Sequence, residues 1–215
     1  MSLRDYLSEI KQGTYLYSKK TFSFNGKKLN YFVNRYNFTG MNERAVEISI
    51  FQSILQSAND KKILEVGNVL SHYLVTKHDV LDKYEKGKNV INEDVVSYAS
   101  KQKYDLIISV STLEHVGWDE KIKSKDKILK AIDNLKKLTK KNGRIIFSVP
   151  VGYNPYLDEI LNKDKITLFK ATYIKRISSN NFWVEVSKEE AMKSKYAEPF
   201  SNANALLIGE IRVSK

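Results

Sequence analysis

Four short polar clusters in this 215-residue chain stand at the ends of apolar runs, and their residue types can do chemistry. Glu65-Val66-Gly67-Asn68 follows Ile63-Leu64. The acid can bind a cationic amine or hydroxyls, and the glycine lets backbone approach a ligand. Asp82 comes 17 residues beyond Glu65, with Glu85 at 20, the interval at which an acid in a nucleotide-binding α/β unit commonly holds ribose hydroxyls. Asn92-Glu93-Asp94 offers a carboxylate to an adenine amino group. The run Ser109 to His115 is polar directly after a strongly apolar segment, and His115 is its histidine. A histidine there serves as general base, orients a substrate, or caps its own Leu-Glu-His turn.

Groups of this kind act together only if an open parallel sheet brings them to one edge, because ligands bind beyond the carboxyl ends of its strands. The sequence supplies such a sheet. β-rich runs at Ile63–Val66, Asp79–Leu81, Val90–Ile91, Leu106–Val110 and Arg144–Val149 alternate with helical or irregular segments. A helix is expected from Asn42, with Asn42 or Thr39 as its cap. Another is expected over about 122–141, with Ile128, Ile132, Leu135 and Leu138 on one face, lysines including Lys127 on the solvated face, and Asn142-Gly143 as a left-handed stop. A short helix near 156–162 precedes strand-like runs at 167–177, 182–187 and 205–213, whose close spacing suggests antiparallel pairing at a sheet edge. The expected organisation is one domain: an arm over 1–40, rich in tyrosine (Tyr6, Tyr15, Tyr17, Tyr31, Tyr36), a ligand-binding core over 41–152, and substrate-side loops and last strands over 153–215.

Taken in order, Ile-Leu-Glu-Val-Gly, Val-Leu-Asp, Asn-Glu-Asp, Tyr-Asp-Leu-Ile-Ile-Ser-Val-Ser-Thr-Leu-Glu-His-Val and Asn-Gly-Arg-Ile-Ile-Phe-Ser-Val-Pro resemble the successive motifs of class I S-adenosylmethionine-dependent methyltransferases. The resemblance covers roughly residues 60–152 and is strongest over Tyr104–Val116. It implies a doubly wound, mostly parallel seven-stranded α/β sheet with a reversed C-terminal hairpin, and S-adenosylmethionine as cofactor. Glu65, Gly67 and Asn68 would line the methionine and ribose part, and Asp82 would bind the ribose diol. Asp94 with Val95 would receive the adenine, and Ser109 with Val110 would meet the methionyl end. Leu113, Glu114 and His115 would close over the site.

The chain departs from the family pattern in two places. Acid-x-Gly-x-Gly-x-Gly is reduced to a single glycine, Gly67, followed by Asn68, Val69, Leu70 and Ser71. Only eleven residues separate Gly67 from Asp79, so the first crossover must be short or irregular. The nicotinamide-binding Gly-x-Gly-x-x-Gly is missing altogether.

The resemblance implies a methyltransferase acting on a small polar acceptor such as a sugar or nucleotide sugar, with an RNA methyltransferase or a non-catalytic binding protein on the same fold as alternatives. His115 is the candidate catalytic base. Acceptor-side candidates are Arg35, Tyr36, Asn42, Glu43 and Arg44 before or at the first helix, Trp118, and Tyr153, Asn154 and Asp158 after the fifth strand. The net charge of +11 raises the question of nucleic acid, but 30 of the 36 basic residues are scattered lysines, and a charged surface explains them better. With no cysteine and three histidines, no metal site is expected. No membrane-length apolar run or signal-peptide pattern is present, so a cytoplasmic location is expected, with no membrane partner.

Overall fold

β-Branched and aliphatic runs form the strands, and the faces of those strands sort the core into two halves. The computed structural model describes residues 20–214. Of the arm expected over 1–40, residues 1–19, including Tyr6, Tyr15 and Tyr17, lie outside the described residues. Its remainder pairs β1 (Thr21–Phe24) with β2 (Lys27–Asn30) and continues into a 3-10 segment, Tyr36–Met41.

Next come α1 (Arg44–Gln56), β3 (Ile63–Val66), β4 (Asp79–Leu81), β5 (Val90–Ile91) and β6 (Tyr104–Val110). They are followed by α2 (Lys127–Leu138), β7 (Thr139–Pro150), α3 (Pro155–Asn162) and β8 (Lys170–Arg176). β9 (Trp183–Val186), α4 (Lys188–Ala191) and β10 (Ala205–Arg212) complete the chain. The main sheet has the order β5-β4-β3-β6-β7-β10-β8-β9. β5, β4, β3, β6 and β7 are parallel, and β10 runs antiparallel to both β7 and β8. The seven expected strands and the reversed hairpin are all present. The strand-like run read at 182–187 is an eighth strand, β9, beyond the seven that the resemblance implies, returned antiparallel onto β8 at the sheet edge.

Register sets the working edge. Val66 pairs with Leu81 on one side and Ser109 on the other, so β3, β4 and β6 end level and deliver Gly67, Asp82 and Ser111 to one rim. Alternation then divides the side chains. Leu64, Val66, Ile107, Ile145 and Phe147 pack with Ile128, Ile132 and Leu135 of α2. Ile63, Leu106, Ile108 and Ile146 pack on the opposite face with Ile48 and Phe51 of α1 and with Phe22 and Tyr31 of the hairpin. Helices on both faces make the sheet doubly wound.

Four local expectations change. Asn42 Oδ1 accepts the Arg44 amide at 3.0 Å at the start of α1, whereas Thr39 Oγ1 instead takes the Asn34 amide at 2.7 Å. α2 is shorter than 122–141, because Thr139 is already extended and its Oγ1 returns to the Leu135 carbonyl at 2.8 Å. Asn142 is left-handed (φ 62) but lies inside β7, where the pairing with β6 shifts register between Tyr104 and Leu106; it redirects a strand rather than ending a helix. Lys127, in turn, is not on a solvated face: it is 19% exposed and ion-paired. The first crossover is irregular as expected, its only ordered piece being a 3-10 turn, Leu70–His72. No helix among the described residues is long and apolar enough to cross a membrane.

Gly209 in β10 sits opposite Phe147 of β7, and a Cβ there would lie 2.7 Å from the Phe147 ring. Gly209→Ala is therefore expected to destabilise the fold by roughly 1–3 kcal/mol, read as a lower urea midpoint with an unchanged slope.

Candidate active site

Beyond the level ends of β3, β4 and β6 opens a cleft of ≈ 430 Å³, a volume typical of small-molecule sites. Gly67 forms its floor with φ +84, and its amide is tied to the Leu81 carbonyl at 2.8 Å. A Cβ on Gly67 would come 2.1 Å from Thr112 Oγ1, so both the backbone conformation and the close approach of the next strand end require glycine.

The loop that lacks further glycines is held by side chains. Asp82 Oδ2 accepts the Asn68 amide at 3.0 Å, and Asp82 Oδ1 accepts the amides of Tyr84 and Glu85 at 2.8 and 2.7 Å. Asn68 Nδ2 donates to Glu85 at 2.7 Å, while Ser71 Oγ donates to Asn68 Oδ1 at 2.5 Å. Asn92 Nδ2 closes the far side on the carbonyls of Asp82 and Glu85. Asp82 and Glu85 are thus fixed before any ligand arrives, and both line the cleft.

Glu65 does not line the cleft. Fully buried, it accepts the amides of Val69 and Leu70 at 3.0 and 2.7 Å and contacts His78 Nε2 at 2.7 Å. Ser109 and Val110 are likewise buried beneath the rim, with Ser109 Oγ donating to the Val66 carbonyl at 3.0 Å. Their successors Ser111 and Thr112 reach the cleft instead. Ser111 is left-handed (φ 37), and its hydroxyl donates to the buried Glu47 at 2.5 Å. Glu47 also takes the Ser148 hydroxyl at 2.6 Å and is ion-paired with Arg44, which pins the start of α1 over the ends of β6 and β7.

Asp94 and Val95 form the opposite wall. Asp94 Oδ1 accepts the Val96 amide at 3.0 Å, and Oδ2 lies 2.9 Å from both Lys83 and Lys127. Glu120 completes the network by contacting the same two ammonium groups at 3.3 and 2.5 Å. Partial burial alone would raise the Asp94 carboxyl, but the Val96 amide and the two lysines outweigh it and hold it at about 2 against an ordinary 3.8.

His115 also lines the cleft, its side chain 47% exposed. Its Nδ1 lies 2.5 Å from Asp119 Oδ2, which also accepts the Tyr153 hydroxyl at 2.6 Å. A base oriented by a carboxylate is the arrangement proton abstraction needs. Of the other acceptor-side candidates, Asn154 caps α3 and ties it to the Glu114 carbonyl at 2.7 Å, and Asp158 holds the Gly152 amide. Asn42 binds the carbonyl of Asn37, and Trp118 packs edge-on against Tyr156. Tyr36 stacks on His72, whereas Arg35 is exposed. Asp119, Glu120, Lys83 and Glu47 escaped the sequence reading. Only Asp119 carries a local signal, its i+4 spacing from His115.

The Asp94 network generates a pH dependence with a defined sign. Because the folded-state carboxyl titrates below its unfolded value, its stabilisation is complete above about pH 4 and fades as pH falls through about 2. Asp94→Asn is expected to cost about 1 kcal/mol at pH 6, since the partners are partly exposed, and nearly nothing at the acid end; denaturation midpoints at both pH values check this.

No family model and no curated protein matches the sequence. Among solved structures, the chain is similar to the N-methyltransferase NodS from Bradyrhizobium japonicum WM9, with 12% identity, TM-score 0.49, and 77% of this chain and 85% of that one covered. It is also similar to the 1,6-didemethyltoxoflavin-N1-methyltransferase of Burkholderia thailandensis, with 12% identity, TM-score 0.47, and coverage of 91% and 100%. A third similar structure is a S-adenosylmethionine-dependent methyltransferase from Clostridium acetobutylicum ATCC 824, with 11% identity, TM-score 0.43, and coverage of 79% and 91%. Within the chain's own sheet, the order β5-β4-β3-β6-β7-β10-β8 with β10 reversed gives a doubly wound, mostly parallel sheet with a reversed C-terminal hairpin, the architecture that the motif resemblance implies.

Proposed function

We propose that the chain transfers a methyl group from S-adenosylmethionine to a small polar acceptor such as a sugar or nucleotide sugar. The observation that carries this reading is a single continuous cleft lined at one end by Gly67, Asp82, Asp94 and Val95 and at the other by His115. The lining suits the cofactor's parts. Asp82 and Glu85 are placed for a diol, and Leu81, Val95 and Val116 offer apolar surface to a planar base. The Gly67 conformation brings backbone close to the floor. When bound, the cofactor supplies a methyl group activated on a sulfonium.

The chain's residues supply position and proton handling. Much of the acceleration in a methyl transfer comes from holding the acceptor in line, about 3 Å from the methyl carbon. His115, with Nδ1 held by Asp119, has Nε2 left to accept the proton of a hydroxyl or protonated amine. A small acceptor is favoured over RNA because the basic residues are mostly lysines scattered along the whole chain, and those beside the cleft, Lys83 and Lys127, are both held by Asp94 and Glu120.

Calorimetry with S-adenosylmethionine and S-adenosylhomocysteine tests the reading. Both are expected to bind, and Asp82→Ala to weaken binding by about tenfold or more, a loss of at least about 1.4 kcal/mol. Absence of binding by either compound in the full chain overturns the proposal. His115→Ala is expected to leave cofactor affinity unchanged and to slow methyl transfer by about a hundredfold. Unchanged turnover in that variant removes the base role.

A further inference from the structure

Glu114 has no part in that mechanism, yet its environment is unusual. It sits in the 3-10 turn Leu113–His115, is 1% exposed, and its Oε2 has no hydrogen-bond partner among the described residues. Its Oε1 lies 3.7 Å from Nε2 of His115. The groups facing the carboxyl are Glu47, Arg44 and Glu43 from the start of α1, with Tyr153 after β7 and Tyr196 between α4 and β10. Arg44 is already paired with Glu47, and Glu43 takes the Ala203 amide at 3.2 Å. Burial pushes the Glu114 carboxyl well above the usual range; the amide of its own turn and Arg44 pull the other way, while Glu47 and Glu43 raise it.

On the imidazole side, Asp119 occupies Nδ1 and also holds the Tyr153 hydroxyl, with Lys123 acting on Asp119. A carboxylate on Nδ1 places the ring proton there and leaves the Nε2 lone pair beside Glu114. One face of the ring thus meets an ionised carboxylate, and the other meets a carboxyl with an unmet hydrogen-bonding oxygen.

We propose that Glu114 is a positioning residue for His115 and that the two share one proton across the Oε1···Nε2 contact. The contact is longer than a hydrogen bond, so sharing the proton requires the two side chains to approach by several tenths of an ångström. Moving the shared proton converts neutral acid and neutral imidazole into carboxylate and imidazolium, leaving the pair's net charge unchanged. In methyl transfer, with the shared proton on Glu114, the acceptor's proton passes to the Nε2 lone pair, the electron pair freed on the acceptor atom forms the bond to the methyl carbon, and that carbon's bond to the sulfonium sulfur breaks with its electrons passing to sulfur. The pair then holds two protons, and one leaves to water as it returns to the singly protonated state. This role in turnover rests on the proposed function, but the shared proton does not.

The test is an NMR titration of the full chain with ¹⁵N-labelled histidine over about pH 5 to 9, the His115 signals being assigned by their loss in His115→Gln. Two coupled sites titrate in macroscopic steps that belong to the pair, so the His115 curve is expected to be broader than a single-site curve. Glu114→Gln, which keeps the side-chain shape, is expected to give a single-site curve with its midpoint displaced by at least about 0.5 unit. Superimposable curves for the parent chain and Glu114→Gln overturn the proposal, whatever calorimetry shows for the cofactor. Should Glu114→Gln not fold, the ¹³C carboxyl titration of Glu114 in the parent chain and in His115→Gln reads the same coupling from the other side, and identical curves there overturn it equally.

Discussion

The carboxylate of Glu65 is the interaction on which the geometry of the cleft depends. The amides of Val69 and Leu70 are donors at the head of a turn too short to satisfy them as a helix would, and Glu65 accepts both from within the sheet. With those bonds made, Leu70 is driven into the α1 face of the core and His78 is brought against the same carboxylate. The chain therefore enters β4 in the register that ends level with β3. Without this acceptor, buried amides and a buried histidine would all lose their partner at once, which is far more costly than losing one surface contact. The acid that marks the end of the first strand thus shapes the site from beneath, while Asp82 and Glu85 meet the cleft.

A second buried carboxylate does the corresponding work near His115. Glu47 gathers the hydroxyls of Ser111 and Ser148 and the guanidinium of Arg44, linking the ends of two neighbouring strands to the first helix. Ser111 is held in a left-handed conformation at the point where the chain leaves β6, which turns the following Thr112 and His115 toward the cleft. Backbone strain of this kind persists only where surrounding bonds over-determine it. Here they do.

Much of the fold is legible in the residues because its signals are local. A β-rich run of three to seven residues followed by a polar cluster locates β3, β4 and β6, and the ordering of Gly67, Asp82, Asp94 and His115 along the chain matches their convergence in space. What escaped was decided between distant residues. Lys127 to Asp94, 33 positions apart, and Ser148 to Glu47, 101 apart, leave no periodic trace. Lys127 reads as one lysine among many on a helix face until the fold places it at the cleft wall. The resemblance assigns Ser109 and Val110 to the cofactor's methionyl end; the register of the strand buries both, and Ser111 and Thr112 line the cleft instead. Helix boundaries failed for a related reason: Thr139 has a strand partner in Tyr104, and that pairing overrides the local preference to continue α2.

The brevity of the first crossover also bears on which ligands the cleft can discriminate against. Nucleotide-binding α/β proteins commonly aim the positive end of a full helix at a phosphate, but a three-residue 3-10 turn has almost no dipole to offer. The lining here instead carries the carboxylates of Asp82, Glu85, Glu93, Asp94, Asp119 and Glu120 with Lys83 as the basic residue among them. Such a field draws in cations. A strongly basic protein thus turns an acidic lining toward its cleft, the opposite sign to its net charge.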